Sequence, residues 1–342
     1  MSAERLIVII GAGPAGLGAA WRVHERGHQS WVLYEAAPHA GGLASSVVDA
    51  TGFTWDLGGH VLFSHYPYFD AVMVKALGDA WVEHVREAWV WMRDRWIPYP
   101  FQNNIWRLPN NELIACVEGL LDLQRSPANG RPASFRDWLL RAFGAGLWEA
   151  FMFSYNRKVW AYDPSRLDVG WMGERVATVD LTRIMRNLVL RQDDVSWGPN
   201  STFRFPLRGG TGAIWRAVSA MLPASAQHFG CALTGVDTTN QRITLSTGDV
   251  VPYDVLLSTM ALDELLKTVI GQPDLTARAG EFVYSSSHIV GIGLRGSPPE
   301  DLTTKCWIYF PEDTVPIYRA TVFSNYSPNN VPTATPHWSL MA

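Results

Sequence analysis

Gly11, Gly13 and Gly16 stand between a β-branched run, Leu6 to Ile10, and a stretch of helical texture, Pro14 to Glu25, that closes near Gly27. A second β-branched run, Trp31 to Glu35, follows and ends in an acid. Strand, tight turn, helix and strand make a βαβ unit, which opens a doubly wound parallel α/β sheet. Each glycine meets a separate physical need. Gly11 permits the turn, Gly13 lets the backbone approach a pyrophosphate, and Gly16 lets helix and strand pack closely. Ala15 lies within the first helical turn, whose free amides and positive end suit an anion. Glu35 is placed to accept from a ribose diol, and its charge would repel a 2'-phosphate, which disfavours NADP as the resident dinucleotide. FAD and NAD both satisfy this fingerprint. Two further glycine pairs, in Gly41-Gly42-Leu43-Ala44-Ser45 and Asp56-Leu57-Gly58-Gly59-His60, give more places where backbone can lie against an extended cofactor, which favours FAD.

With 342 residues the chain has room for roughly two domains and a large core. Its net charge of -4, without long runs of Lys or Arg, speaks against nucleic acid as a partner. Cys116, Cys231 and Cys306 are far apart and lack C-x-x-C spacing, so neither a disulfide framework nor a metal site is expected, and a reducing cytoplasm fits. The apolar stretch from Leu6 to Trp21 spans 16 residues and is interrupted by four glycines and Pro14. It is too short and too broken for a membrane span or a signal peptide. Most of the 16 tryptophans are expected to serve core or interface packing, although such rings also stack on flavins, nucleobases and sugars, and composition alone does not choose between these roles.

Beyond the βαβ unit, Leu113, Ile114, Val117, Leu120 and Leu121 repeat at helical spacing from Asn110 onward until Pro127. Ser134 and Asp137 form an S-x-x-D cap for a second helix, with Gly144 as its stop. Leu181 to Arg191 reads as a third. Strands are expected at Ala232 to Val236, Arg242 to Leu245 and Asp254 to Ser258, and Ser324 to Pro336 reads as loop before a strand beginning at Trp338. The Gly209-Gly210-Thr211-Gly212 turn before another helix is a second glycine cluster.

Seven motifs in one order carry a more specific resemblance: GGHVLFSHYPYFD, IPYPFQNNI, SYNRKVWA, GERVA, WGPNSTFRFPLRGGTGAIW, YSSSHIVGIGLRG, and KCWIYFPED with YRATVFSNYSP. Together they resemble the eukaryotic-type UDP-galactopyranose mutases, a branch of the amine-oxidase-like flavoproteins. The resemblance implies a discontinuous FAD-binding domain (1–86 and 198–284), an inserted helical substrate domain (101–197) and a partial antiparallel β-sheet domain (87–100 and 285–342). It implies an isomerase in which N5 of reduced FAD attacks the anomeric carbon of UDP-galactopyranose. The resulting flavin–sugar adduct recloses as the five-membered ring, and UDP returns to give UDP-galactofuranose with no net redox change. NADH or NADPH visits only to reduce the flavin.

By motif, the resemblance puts Gly42, Leu43, Gly58, Gly59 and His60 beside the flavin, and the backbone of Leu233 beside the adenine. His60 would respond to flavin reduction. Tyr99, Phe101 and Gln102 would form the uridine site. Arg175 and Arg319 would bind the diphosphate, a role that suits planar, permanently charged guanidinium groups, with Tyr309 nearby. Phe151, Asn156 and Trp160 would face the sugar, and Asn200 would meet both substrate and flavin. Read from the residues alone, Phe151 and Trp160 are better suited to a helical core.

Relatives in this family continue beyond the point where this chain ends. The resemblance therefore implies that part of the substrate sheet and of the return to the dinucleotide domain is missing, with reduced flavin occupancy and turnover as the expected cost. Two other readings follow from the same residues: an FAD-dependent oxidoreductase of the amine-oxidase class, and a catalytically silent FAD or nucleotide-sugar binding relative.

Overall fold

The computed structural model describes residues 4–126, 129–172, 176–195, 201–333 and 335–342. The chain divides into two compact units, one formed by 1–82 with 204–288 and the other by 83–203 with 289–342. The helical segment and the sheet segments that the sequence resemblance separates into two domains fall within the second unit.

In the first unit a four-stranded parallel sheet has the order Val255–Ser258, Ile7–Ile10, Trp31–Glu35, Gln227–Phe229. Successive side chains of a strand point to opposite faces, and the core divides accordingly. Ile9 and Leu33 pack with Leu17, Ala20 and Trp21 of the helix Pro14–Glu25 and with Ile214, Trp215 and Val218 of the helix Gly212–Ala220. Val8 and Ile10 pack the other way, against Leu233, Val236, Ile243 and Leu245. The second face is thus covered by a three-stranded antiparallel meander, Leu233–Asp237, Arg242–Leu245 and Val250–Pro252, where a doubly wound sheet would carry helices. Parallel strands need both faces buried, and the meander meets that need in this chain.

The second unit holds a six-stranded sheet ordered Gly291–Arg295, His337–Met341, Arg319–Val322, Trp307–Tyr309, Ala88–Met92, Arg95–Pro98. It is antiparallel except where Trp307–Tyr309 runs parallel to Ala88–Met92. Four helices accompany it: Asn110–Arg125, Phe135–Leu147, Phe153–Trp160 and Leu181–Leu190. Ser134 caps the second as its spacing implies, accepting from the Asp137 amide at 3.3 Å. Gly144 interrupts that helix at φ +75° but does not end it, because helical turns resume at once and run on to Trp160. The expected loop after Ser324 contains two short helical turns, Phe323–Asn325 and Pro328–Asn330.

The reason for a glycine at 144 and again at 146 lies in the helix Asn110–Arg125 across the interface. A Cβ on Gly146 would stand 2.1 Å from the carbonyl oxygen of Ala115, and one on Gly144 would stand 2.5 Å from that of Gly119. The two backbones therefore touch directly, and no side chain lies between them to yield. Gly146→Ala should destabilise the second unit by about 2 kcal/mol, within the roughly 1–3 kcal/mol usual for overpacking. Chemical denaturation monitored by circular dichroism checks this; an unchanged midpoint would show that the helices slide apart at little cost.

Candidate functional site

The first unit presents a dinucleotide cradle at the carboxyl end of the strand Ile7–Ile10. Gly11 adopts φ +102°, and a Cβ there would meet Thr259 Oγ1 at 2.3 Å. One on Gly16 would lie 1.8 Å from the Gly11 carbonyl oxygen, so helix and turn are in backbone contact. The helix that follows has no side-chain cap and no acid in its first turn. The amides of Ala15 and Gly16 lack intrahelical acceptors by position, leaving donors and a positive end for an anion. Gly42 closes the opposite side, with its Cβ position 3.0 Å from Gly13 Cα. Uncapped donors beside backbone stripped of side chains fit the diphosphate of FAD.

Glu35 reaches back into this turn. Its Oε2 accepts from the Ala12 amide at 2.6 Å and its Oε1 from the Ala37 amide at 2.8 Å. A carboxylate has lone pairs for more than two donors, so the ribose role remains open to it while it also braces the turn. Leu43 is 81% exposed at the tip of the Gly42–Ala44 turn. His60 donates its backbone N–H to the Gly58 carbonyl at 2.9 Å, and its ring curls over Gly58, with Cε1 only 2.6 Å from that residue's Cβ position. Gly59 lies between them. Leu233 is buried in the core under the sheet, which leaves its backbone as the part available to a ligand.

Sequence reasoning gave no role to Asp56, which holds these loops together. Its carboxylate accepts from Ser46 Oγ at 2.5 Å, Thr211 Oγ1 at 2.6 Å and the Thr211 amide at 3.0 Å, while Ser46 Oγ accepts from the Gly212 amide at 2.7 Å. Gly210 has no room for a side chain here, since a Cβ would lie 2.2 Å from Asp56 Oδ1. The segments joined are those that follow the Gly41-Gly42 turn, precede the Gly58-Gly59 turn and form the second glycine cluster. Burial pushes the Asp56 carboxyl up to about 6, against the downward pull of its Ser46 and Thr211 hydrogen bonds.

In the second unit, the Tyr99-Pro100-Phe101-Gln102 run leaves the strand Arg95–Pro98 through a cis Tyr99–Pro100 bond. Phe101 is fully buried and stacks on Phe151 at 4.3 Å, and Phe151 stacks in turn on Tyr155 at 4.8 Å. The structure therefore gives the faces of Phe101 and Phe151 to the core and not to a nucleobase. Gln102 donates to the Ala177 carbonyl at 2.7 Å, and Asn156 donates to the Met152 carbonyl at 2.7 Å. Trp160 packs edge-on against Trp171. Arg175 and Asn200 lie outside the described residues.

Tyr99, Tyr155 and Tyr309 converge, with Tyr309 5.2 Å from each of the other two rings. Burial raises all three phenols, so they stay protonated. Two arginines stand beside them. Burial works against the charge of Arg319, yet Tyr309, Tyr318, Tyr326 and Tyr155 outweigh it and move the group upward. Arg86, which the sequence did not single out, is 7% exposed with its guanidinium 5.9 Å from the centre of the Tyr99 ring, and burial lowers its pKa. Guanidinium groups among half-buried phenols form a donor array suited to a diphosphate.

Fold and sites together define a dinucleotide-binding flavoprotein of the amine-oxidase-like class. Residues 9–76 match the model of the NAD(P)-binding Rossmann-like domain. A probable zeta-carotene desaturase from Synechococcus elongatus is 41% identical over 69 residues, 20% of this chain and 14% of that protein, so the likeness covers a small part of each. A putative protoporphyrinogen oxidase from Exiguobacterium sp. 255-15 shares the fold, with TM-score 0.67 and 16% identity over all of this chain and 77% of its own. The solved structure of a reduced UDP-galactopyranose mutase has TM-score 0.94 and 50% identity, covering 98% of this chain and 73% of that one. The chain belongs to the UDP-galactopyranose mutase family.

No helix among the described residues is long and apolar enough to cross a membrane. The Asp56 tie makes a pH prediction. Its folded pKa of about 6 lies above the ordinary 3.8, so its contribution to stability is greatest below pH 3.8 and is lost as pH rises through 6. Asp56→Asn should flatten the stability profile across that window by on the order of 2–3 kcal/mol relative to the parent. Parallel denaturation series at stepped pH check it, and parallel slopes for parent and variant would overturn it.

Proposed function

We propose that this chain interconverts UDP-galactopyranose and UDP-galactofuranose with FAD as its resident cofactor. The observation that carries the reading is the Arg319–Tyr309 array, a half-buried cluster of donors for a diphosphate in a chain whose other unit carries a dinucleotide cradle. When bound and reduced, FAD supplies at N5 the nucleophile for the anomeric carbon.

The residues of the chain do the rest. Ala15 and Gly16 bind the FAD diphosphate through the helix N-terminus, with Gly11 and Gly13 giving the backbone access, and Glu35 takes the ribose. Gly42, Leu43, Gly58, Gly59 and His60 flank the ring, and the Leu233 backbone meets the adenine. Arg175 and Arg319, with Tyr309, retain UDP while its bond to the sugar is broken, so that it can return to the same carbon. Tyr99 and Gln102 orient the uridine, with Phe101 supporting them from the core. Asn156, Trp160 and Asn200 orient the sugar, with Phe151 packed behind. The work is retention and exclusion of water, since hydrolysis competes with return of the diphosphate. NADH or NADPH serves as a passing reductant. The thiols of Cys116, Cys231 and Cys306 are free, which supports a reducing, cytoplasmic setting.

Incubating the purified protein with UDP-galactofuranose, with and without dithionite, tests the reading. Pyranose product should form only after reduction and without stoichiometric oxidation of a nicotinamide. Turnover by the fully oxidised protein, or none in either state, would overturn it. Arg319→Ala should weaken UDP binding by about 1.5–3 kcal/mol, roughly 10- to 150-fold, as expected for the loss of a hydrogen bond from a charged group. Calorimetric titration measures it, and parent-like affinity would remove Arg319 from the diphosphate site.

A further inference from the structure

Lys158 makes contacts that a solvated surface lysine would not. Its Nζ donates to the carbonyls of Phe310, Glu312 and Val315, each at 2.8 Å. All three belong to the loop 310–318, which joins the strand Trp307–Tyr309 to the strand Arg319–Val322. Tyr309 and Arg319 are directly paired across that hairpin, and Phe310 donates its N–H to the Tyr318 carbonyl at 2.9 Å to close it. Lys158 itself projects from the helix Phe153–Trp160, one turn beyond Tyr155, whose ring meets Tyr309 edge-on at 5.2 Å. One helix face therefore touches the hairpin twice, through an aromatic contact at its base and an ammonium in its loop.

We propose that Lys158 is a positioning residue for diphosphate binding: it fixes the 310–318 loop and through it the alignment of Tyr309 and Arg319. This rests on the reading of Arg319 as a diphosphate ligand. The chemistry is specific to an ammonium. Lysine offers three donors about one point, whereas the planar fork of arginine cannot place donors on three carbonyls converging from different directions. Each carbonyl so held is a backbone group otherwise left to water or to a shifting loop. Half-burial lowers the Lys158 pKa, with Asp313 and Glu312 pulling the other way. From the far side, Glu312 pairs with Arg93, which also holds Glu112 at 2.8 Å, so the loop is gripped on two sides and Lys158 supplies the grip from the site-bearing helix.

The test compares Lys158→Met, Lys158→Arg, Arg319→Ala and the Lys158→Met/Arg319→Ala double variant. Amide hydrogen exchange of the ligand-free proteins reads the tie directly. In Lys158→Met, exchange across 309–320 should accelerate by about tenfold or more while the helix Asn110–Arg125 keeps parental rates. UDP affinity reads the consequence. Lys158→Met should weaken it by about tenfold, Lys158→Arg should restore it only in part, and in the Arg319→Ala background Lys158→Met should cost less than about twofold, because the residue it positions is gone. Asp137→Ala, which removes the Arg141 ion pair and the Ala133 amide contact from the helix Phe135–Leu147 in the same unit, controls for general loss of stability and should leave UDP affinity at the parental value. Unchanged exchange in Lys158→Met, a full additive loss in the double variant, or an equal loss in Asp137→Ala would overturn the proposal. A parent that binds no UDP would overturn the proposed function and the ligand named here together, and accelerated exchange in Lys158→Met would still distinguish that result from failure of the tie.

Discussion

Where two backbones must touch, there is no volume for a Cβ, and the first unit is organised around one such contact. The Gly16 Cβ position lies 1.8 Å from the Gly11 carbonyl oxygen, inside the radius of any real atom pair. Because helix and turn meet there without a spacer, the helix begins directly over the end of the strand, and its uncapped first turn points at the space a diphosphate would fill. Glu35 extends the same geometry to the next strand by bonding to Ala12 and Ala37. Thr259 does so from the strand on the other side, with Oγ1 donating to the Ile10 carbonyl at 2.9 Å beside Gly11. The shape of the cradle is therefore set by backbone packed against backbone.

Local chemistry made much of this legible in the sequence. Pro14 at the helix start, Ser134 three residues before Asp137, and Glu35 at the end of a β-branched run act on neighbours within a turn or two, so spacing alone carries them. The elements that escaped notice act over long separations. Asp56 meets Thr211 across 155 positions, and Lys158 meets Phe310 across 152. Nothing in the neighbourhood of either residue announces a partner that far away. Arg86 was silent for a related reason: 24 arginines stand against 4 lysines in this chain, so one more arginine in a strand-like run carries no signal until its burial is known.

Aromatic residues show the opposite failure, in which a motif promises more than the side chain can give. Phe101 and Phe151 sit within runs typical of the family, yet each spends its ring face on the other. Hydrophobicity does not distinguish a ring that stacks on a ligand from one that supports the residue that does. Tyr309 resolves the matter by carrying a polar end as well: its ring joins the packed layer, and its hydroxyl accepts from Trp307 Nε1 at 2.9 Å.

The electrostatic design of the second unit follows from that arrangement. Burying a guanidinium is costly unless something replaces its water, and a carboxylate partner would cancel the charge that a diphosphate needs to meet. Neutral phenols avoid both outcomes. Burial works against the charge of Arg319, yet the surrounding Tyr309, Tyr318, Tyr326 and Tyr155 move it upward, while burial raises the Tyr309 and Tyr155 phenols. Arg86, with fewer such neighbours, is moved downward by its burial. A diphosphate entering such a cluster would meet the Arg319 guanidinium and the Tyr309 hydroxyl on paired strands. Its binding would then draw on the charge that Arg319 keeps, and donors held in place in this way can retain a leaving group through bond cleavage and still return it.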